Sequence, residues 1–159
     1  MSLILELVIY LSVGAGYWWL SQNLTIFGLV PNLLFACALC AAILAGPVKG
    51  IAWGFMLGLY MDLLGSEMFG AYALTYTVLA YTVHVVKRHF DMDSAFSQLV
   101  AALSLSWISM LFYQGLSIIF SRPGSLNLKV FLAEPFLDAL AVPVLFQVLY
   151  GLKRRTGVL

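Results

Sequence analysis

Three acidic side chains stand in stretches of sequence that are otherwise apolar: Asp62, Glu134 and Asp138. Ionisable groups in such segments are expensive to insert, and they mark proton relays, ion pathways or ligand sites when they are functional. Glu134 and Asp138 are four apart, so on a helix they share a face and repel as like charges. They must therefore reach water, share a proton, or pair with basic or hydroxyl groups. Asp62 costs roughly 2.5–3.5 kcal/mol at a bilayer centre and less near an interface. Its non-catalytic alternative is to be solvated or to accept backbone N–H bonds from the Gly65-Ser66-Glu67 turn. Glu6 reads as interfacial. Cys37 and Cys40 form a CxxC, but without a second pair or adjacent histidines they read as small packing residues. His84 and His89 are five apart, whereas helical metal ligands need three or four. HExxH, GxSxG and Gly-rich phosphate-loop patterns are absent. No catalytic residue, metal or cofactor is expected.

Composition says what must position those groups. Of 159 residues 63% are apolar and 9% charged, with a mean hydropathy of +1.00. A soluble domain carries about 25% charged residues, and a chain this small cannot bury so much apolar surface in its own core. An integral membrane protein is the class left. A spanning helix takes about 20 residues, so six would use about 120 and leave no extramembrane domain. The apolar runs give one transmembrane domain over 1–159, with spans at 3–20, 27–45, 51–64, 71–86, 95–120 and 130–152. The first lacks a basic flank and reads as a retained span, not a signal peptide. The third is short enough to be re-entrant. Pro135 and Pro143 fall in the last and are expected to bend it or delay its start.

The basic residues orient this arrangement. Lys49, Lys87, Arg88, Lys153, Arg154 and Arg155 share one side of a six-span layout, and only Arg122 and Lys129 fall on the other. The positive-inside rule puts both termini in the cytoplasm. Net charge of +1 gives no field for nucleic acid; the basic residues at most touch lipid headgroups. Gly46, Gly50, Gly54 and Gly58 recur every four residues, and Asp62 continues the series. Glycines so spaced let another helix approach closely, which predicts a packed seam whose partner helix the sequence does not name.

The stretch from Pro31 to Val83 carries a family resemblance. Pro31-Asn32 opens the second span. Then come Gly54-Phe55-Met56-Leu57-Gly58-Leu59-Tyr60-Met61-Asp62-Leu63-Leu64-Gly65 and Phe69-Gly70-Ala71-Tyr72-Ala73-Leu74, with Ala80-Tyr81 closing the next helix. This resembles the MreD family of bacterial rod-shape-determining membrane proteins. The close match covers about a third of the chain, and Pro31, Asn32, Gly54, Phe55, Gly58, Asp62, Gly65 and Gly70 fit the family pattern. The resemblance implies an all-α, six-span, multi-pass protein of the bacterial inner membrane. Its fold would be akin to the substrate-binding subunits of energy-coupling-factor transporters. It also implies MreC as direct partner, with MreB, RodA and a class B penicillin-binding protein nearby. The matching residues are then fold and partner-surface positions. Glu134 and Asp138 fit no family pattern and, with Asp62, are a possible intramembrane polar site.

Three functions follow. The first is a non-enzymatic scaffold of the cell-elongation machinery that helps organise peptidoglycan synthesis. The second is a vitamin-type substrate-binding subunit, with Trp53, Tyr60, Asp62, Tyr72, Tyr76, Glu134 and Asp138 as candidate pocket lining. An intramembrane aspartyl protease ranks last: Asp62 and Asp138 lie on different helices, and the Gly-Asn-x-x-Asp-Arg stretch of lipoprotein signal peptidases is absent.

Overall fold

The computed structural model describes residues 2–23, 31–64, 68–89, 94–120 and 128–156. Those residues form six helices and no strand: α1 (Ser2–Asn23), α2 (Leu33–Leu44), α3 (Pro47–Leu63), α4 (Ala71–Lys87), α5 (Ala95–Ile119) and α6 (Leu128–Thr156). The chain is therefore all-helical over the described residues, as its composition requires.

The shortest helix is the core. Every residue from Leu34 to Ala45 is buried, because LLFACALCAAIL is apolar on all faces and such a helix has no side to offer water. Its alanines and cysteines keep its radius small, so all five other helices touch it. α3, α4 and α6 contribute the larger contacts, α1 covers a further side, and α5 reaches it only slightly while packing on α6 and α4. Cys37 and Cys40 lie unbridged inside this core, and the Cys40 thiol meets the Val142 carbonyl at 3.6 Å.

Twelve residues at 1.5 Å each make α2 about 18 Å long, well short of a hydrocarbon layer of about 30 Å. Of the apolar run predicted as a span over 27–45, the described part is helical over Leu33–Leu44; residues 27–30 lie outside the described ones. Pro31 and Asn32 stop the helix at Leu33. α3 begins four residues before the predicted apolar run, because Pro47 suits the first helical turn, where no N–H is needed. The α2–α3 connection shrinks to Ala45 and Gly46. α5 and α6 are each long and apolar enough to cross a membrane.

α6 is continuous through both prolines, so the expected late start does not occur. Pro135 has no N–H to give the Phe131 carbonyl one turn back. The Trp107 indole N–H of α5 supplies the missing bond at 3.1 Å.

Candidate functional site

The polar groups of the core gather at the two ends of α2. At its N-terminus Asn32 is the cap: its side-chain oxygen accepts from the Phe35 N–H at 3.0 Å, one of the donors a helix start leaves unpaired. The same oxygen accepts from the Tyr76 hydroxyl of α4 at 3.1 Å. The Asn32 N–H donates to Asp138 Oδ1 of α6 at 2.8 Å, and the Ser106 hydroxyl of α5 donates to Asp138 Oδ2 at 2.8 Å. Asp138 is 3% exposed, so these bonds decide whether a carboxylate can stay there at all. It also sits where the helix dipole favours a negative charge.

Asp62 performs the same service for α4. The Tyr72 and Ala73 N–H groups donate to its two carboxylate oxygens at 3.0 Å each. The Gly65-Ser66-Glu67 turn expected to supply its donors lies outside the described residues. Gly70 makes the geometry accessible. It is the N-cap of α4 at φ 93°, a left-handed conformation that side chains with a Cβ avoid. Tyr76 lies one turn beyond Tyr72, with ring centroids 6.0 Å apart. The groups thus form a chain of contacts: Asp62, the first turns of α4, Tyr76, Asn32, Asp138 and Ser106. It joins α3, α4, α2, α6 and α5 at one level of the bundle. Tyr72 also stacks on Tyr113 of α5, centroids 4.4 Å apart.

At the other end of α2 the charges reverse. Lys87 of α4 donates to the Ile43 carbonyl at 2.6 Å, and Lys153 of α6 donates to the Leu44 carbonyl. Ile43 would ordinarily bond the N–H four residues on, but that residue is Pro47. The lysines fill acceptors that the helix end leaves open, with the sign the dipole prefers.

The glycine series divides among three tasks instead of forming one seam. Gly54 and Gly58 face α4: an added Cβ would lie 2.7 Å from the Tyr76 carbonyl oxygen at Gly54 and 2.4 Å from that of Tyr72 at Gly58. The partner of the predicted seam is therefore internal, and α3 with α4 is the most extensive helix pair in the fold. Gly50 faces α2, where a Cβ would meet Ala42 Cα at 3.1 Å, whereas Gly46 caps α3 in open space. Gly14 of α1, unremarked in the sequence pattern, receives the Tyr60 ring.

The remaining family positions are scattered. Pro31 precedes the cap, and its carbonyl accepts from the Leu33 N–H at 2.9 Å. Phe55 is 47% exposed on the outer side of α3. Gly65 lies outside the described residues. Glu134 stands one turn from Asp138 on α6 and is half-buried. The structure thus connects Asp62 and Asp138 through helix caps. Sequence reasoning missed Ser106 and named Tyr76 only as candidate pocket lining; the roles of both depend on which helices meet. It also missed the capping by Lys87 and Lys153, whose charges pointed only to orientation.

These features define an all-helical protein whose two buried carboxylates hold helix starts, with helices suited to a membrane. The chain belongs to the MreD family: the family model, described as rod shape-determining protein MreD, matches residues 1–156. Membership implies a role in rod shape determination. No curated protein and no solved structure matches the chain.

Proposed function

We propose that this protein is a non-enzymatic scaffold of the bacterial cell-elongation machinery. It binds MreC and helps organise peptidoglycan synthesis with MreB, RodA and a class B penicillin-binding protein. The family match carries the machinery. The observation that favours a scaffold is the engagement of Asp62 and Asp138 by backbone N–H groups. Carboxylates committed to helix starts fix the height of α6 against α2 and of α3 against α4, and so fix the outer surface that a partner meets.

The same reading makes this a six-span protein of the inner membrane with both termini cytoplasmic. Lys87 and Lys153 meet the C-terminal end of α2, and Arg88 and Arg154 adjoin them in sequence, which gathers basic residues at one end as the positive-inside rule asks of a cytoplasmic face. The fold is read as akin to the substrate-binding subunits of energy-coupling-factor transporters. The carrier function draws no support from the family match.

The test is purification of the full chain from its native membrane in mild detergent, with identification of what accompanies it. MreC and the penicillin-binding protein are expected. Coupling-factor ATPases or a retained small molecule instead would overturn the scaffold in favour of the carrier.

A further inference from the structure

Ser106, Ser109, Tyr113 and Ser117 follow one another on α5 at steps of three, four and four, so they share one side of that helix. Asp138 and Glu134 share a side of α6 in the same way, and Tyr76 and Tyr72 a side of α4. The α5–α6 pair is bonded from Ser106 to Asp138 and from Trp107 to Phe131, so later residues of α5 meet earlier ones of α6. The polar side chains therefore form two rungs, one helical turn apart. The inner rung is closed, with Ser106 bonded to Asp138, Asp138 to Asn32 and Asn32 to Tyr76.

The outer rung is open. Among the described residues no group hydrogen-bonds the side chain of Ser109 or Glu134. Ser109 is only 9% exposed, yet no described side-chain oxygen is at once sealed and unbonded, so its hydroxyl opens on a crevice. Glu134 is half-buried at the same level. The Tyr17 and Tyr72 hydroxyls lie within electrostatic reach of Glu134, and the Tyr72 ring stacks on Tyr113. A carboxylate, a free hydroxyl and tyrosine rings from α1, α4 and α5 thus surround one space.

We propose that this crevice binds a primary ammonium group, carried by an ethanolamine lipid headgroup or by a free amine. The ammonium donates to the Glu134 carboxylate and the Ser109 hydroxyl, and the tyrosine rings cover its remaining side. Charge favours a cation: Asp138 adjoins Glu134, whereas the described lysines and arginines gather at the opposite end of α2, where Lys87 and Lys153 bond its last carbonyls. Chemistry favours an N–H cation, because an ionised carboxylate only accepts hydrogen bonds and ring faces attract ammonium groups. A metal ion fits less well, since among the described residues no three ligating side chains converge. Trp18 and Trp19, beside Tyr17, are exposed, and tryptophan collects at the depth of lipid headgroups. The site is independent of the scaffold reading: an amine retained together with MreC leaves that reading intact.

The test titrates the full chain in mild detergent with short-chain phosphatidylethanolamine, with phosphatidylcholine and phosphatidylglycerol of the same chain length, and with free ethanolamine. Native mass spectrometry reads the lipids and calorimetry the free amine. Phosphatidylethanolamine should bind more tightly than the other two lipids if the source is a headgroup, and ethanolamine alone should bind if it is a free amine. Glu134→Gln should weaken that binding about 10- to 100-fold, the worth of a hydrogen bond between charged groups, and Ser109→Ala about 2- to 10-fold. Neither change removes a bond within the protein, and thermal unfolding checks that the fold stands. Should E134Q lose its fold, S109A and the comparison of headgroups decide. Absence of binding by both amines, phosphatidylcholine or phosphatidylglycerol bound as tightly as phosphatidylethanolamine without ethanolamine binding, or a folded E134Q that binds as the wild type does would each overturn the proposal.

Discussion

Replacing Asp62 by alanine removes both acceptors at the start of α4 while leaving the helix that carries them intact. Two N–H groups lose bonds of 3.0 Å to a charged partner, in a site where the aspartate is 4% exposed. A hydrogen bond to a charged group contributes about 1.5–3 kcal/mol, so the pair is worth about 3–6 kcal/mol, against a total stability of about 5–15 kcal/mol for a typical domain. Asp62→Asn is the informative comparison. One amide oxygen still accepts, but the amide nitrogen confronts the second N–H, so about half the loss is expected. Reversible unfolding of the purified protein in mixed micelles, followed by tryptophan fluorescence, orders the three. Wild type should be most stable, D62N intermediate and D62A least. A proton-carrying or catalytic aspartate predicts otherwise: D62N would fold normally and fail only in function. D62A within about 1 kcal/mol of the wild type would refute the capping argument.

The glycines provide a graded series. Gly58→Ala should cost more than Gly54→Ala, since its Cβ would lie 2.4 Å from backbone against 2.7 Å; overpacking of this kind costs about 1–3 kcal/mol. Gly46→Ala, in open space, should lose little, and equal losses at all three in the same unfolding assay would count against an internal α3–α4 seam. Lys87→Met and Lys153→Met should each destabilise the fold by about 1 kcal/mol, the typical worth of a cation at a helix end. The arginine variants should preserve most of it at moderate salt. Methionine variants as stable as the arginine ones would show that these charges serve orientation alone.

What the sequence discloses here is decided by range. An apolar segment announces a helix from its own residues, and proline marks where a helix can start. The glycine spacing announces a close approach as well, but not by which helix. That depends on α3 and α4 lying back to back, a pairing to which residues twenty positions away contribute. The carboxylates follow the same rule. Asp62 and Asp138 are visible as anomalies because an unsolvated charge is costly wherever it lies. Their partners are a backbone turn ten residues on and an asparagine 106 residues back. Nothing local marks Ser106, one serine among several on α5.

The charges at the ends of α2 explain why a helix too short to span can be the centre of the bundle. Helices in lipid gain little from burying apolar faces against each other, since lipid is equally apolar. A buried helix end, however, exposes N–H and carbonyl groups that hydrocarbon cannot satisfy. A helix that ends inside the protein must therefore recruit side chains from its neighbours, and each one recruited ties that neighbour to a fixed height. Asp138 and Lys153 tie α6 at both ends, and Tyr76 and Lys87 do the same for α4. Sliding either helix by one turn would break a bond at each end together, so the shortness of α2 supplies the register that apolar packing alone leaves loose. A partner that reads the outer surface of α4 or α6 then meets side chains whose depth is set from the centre.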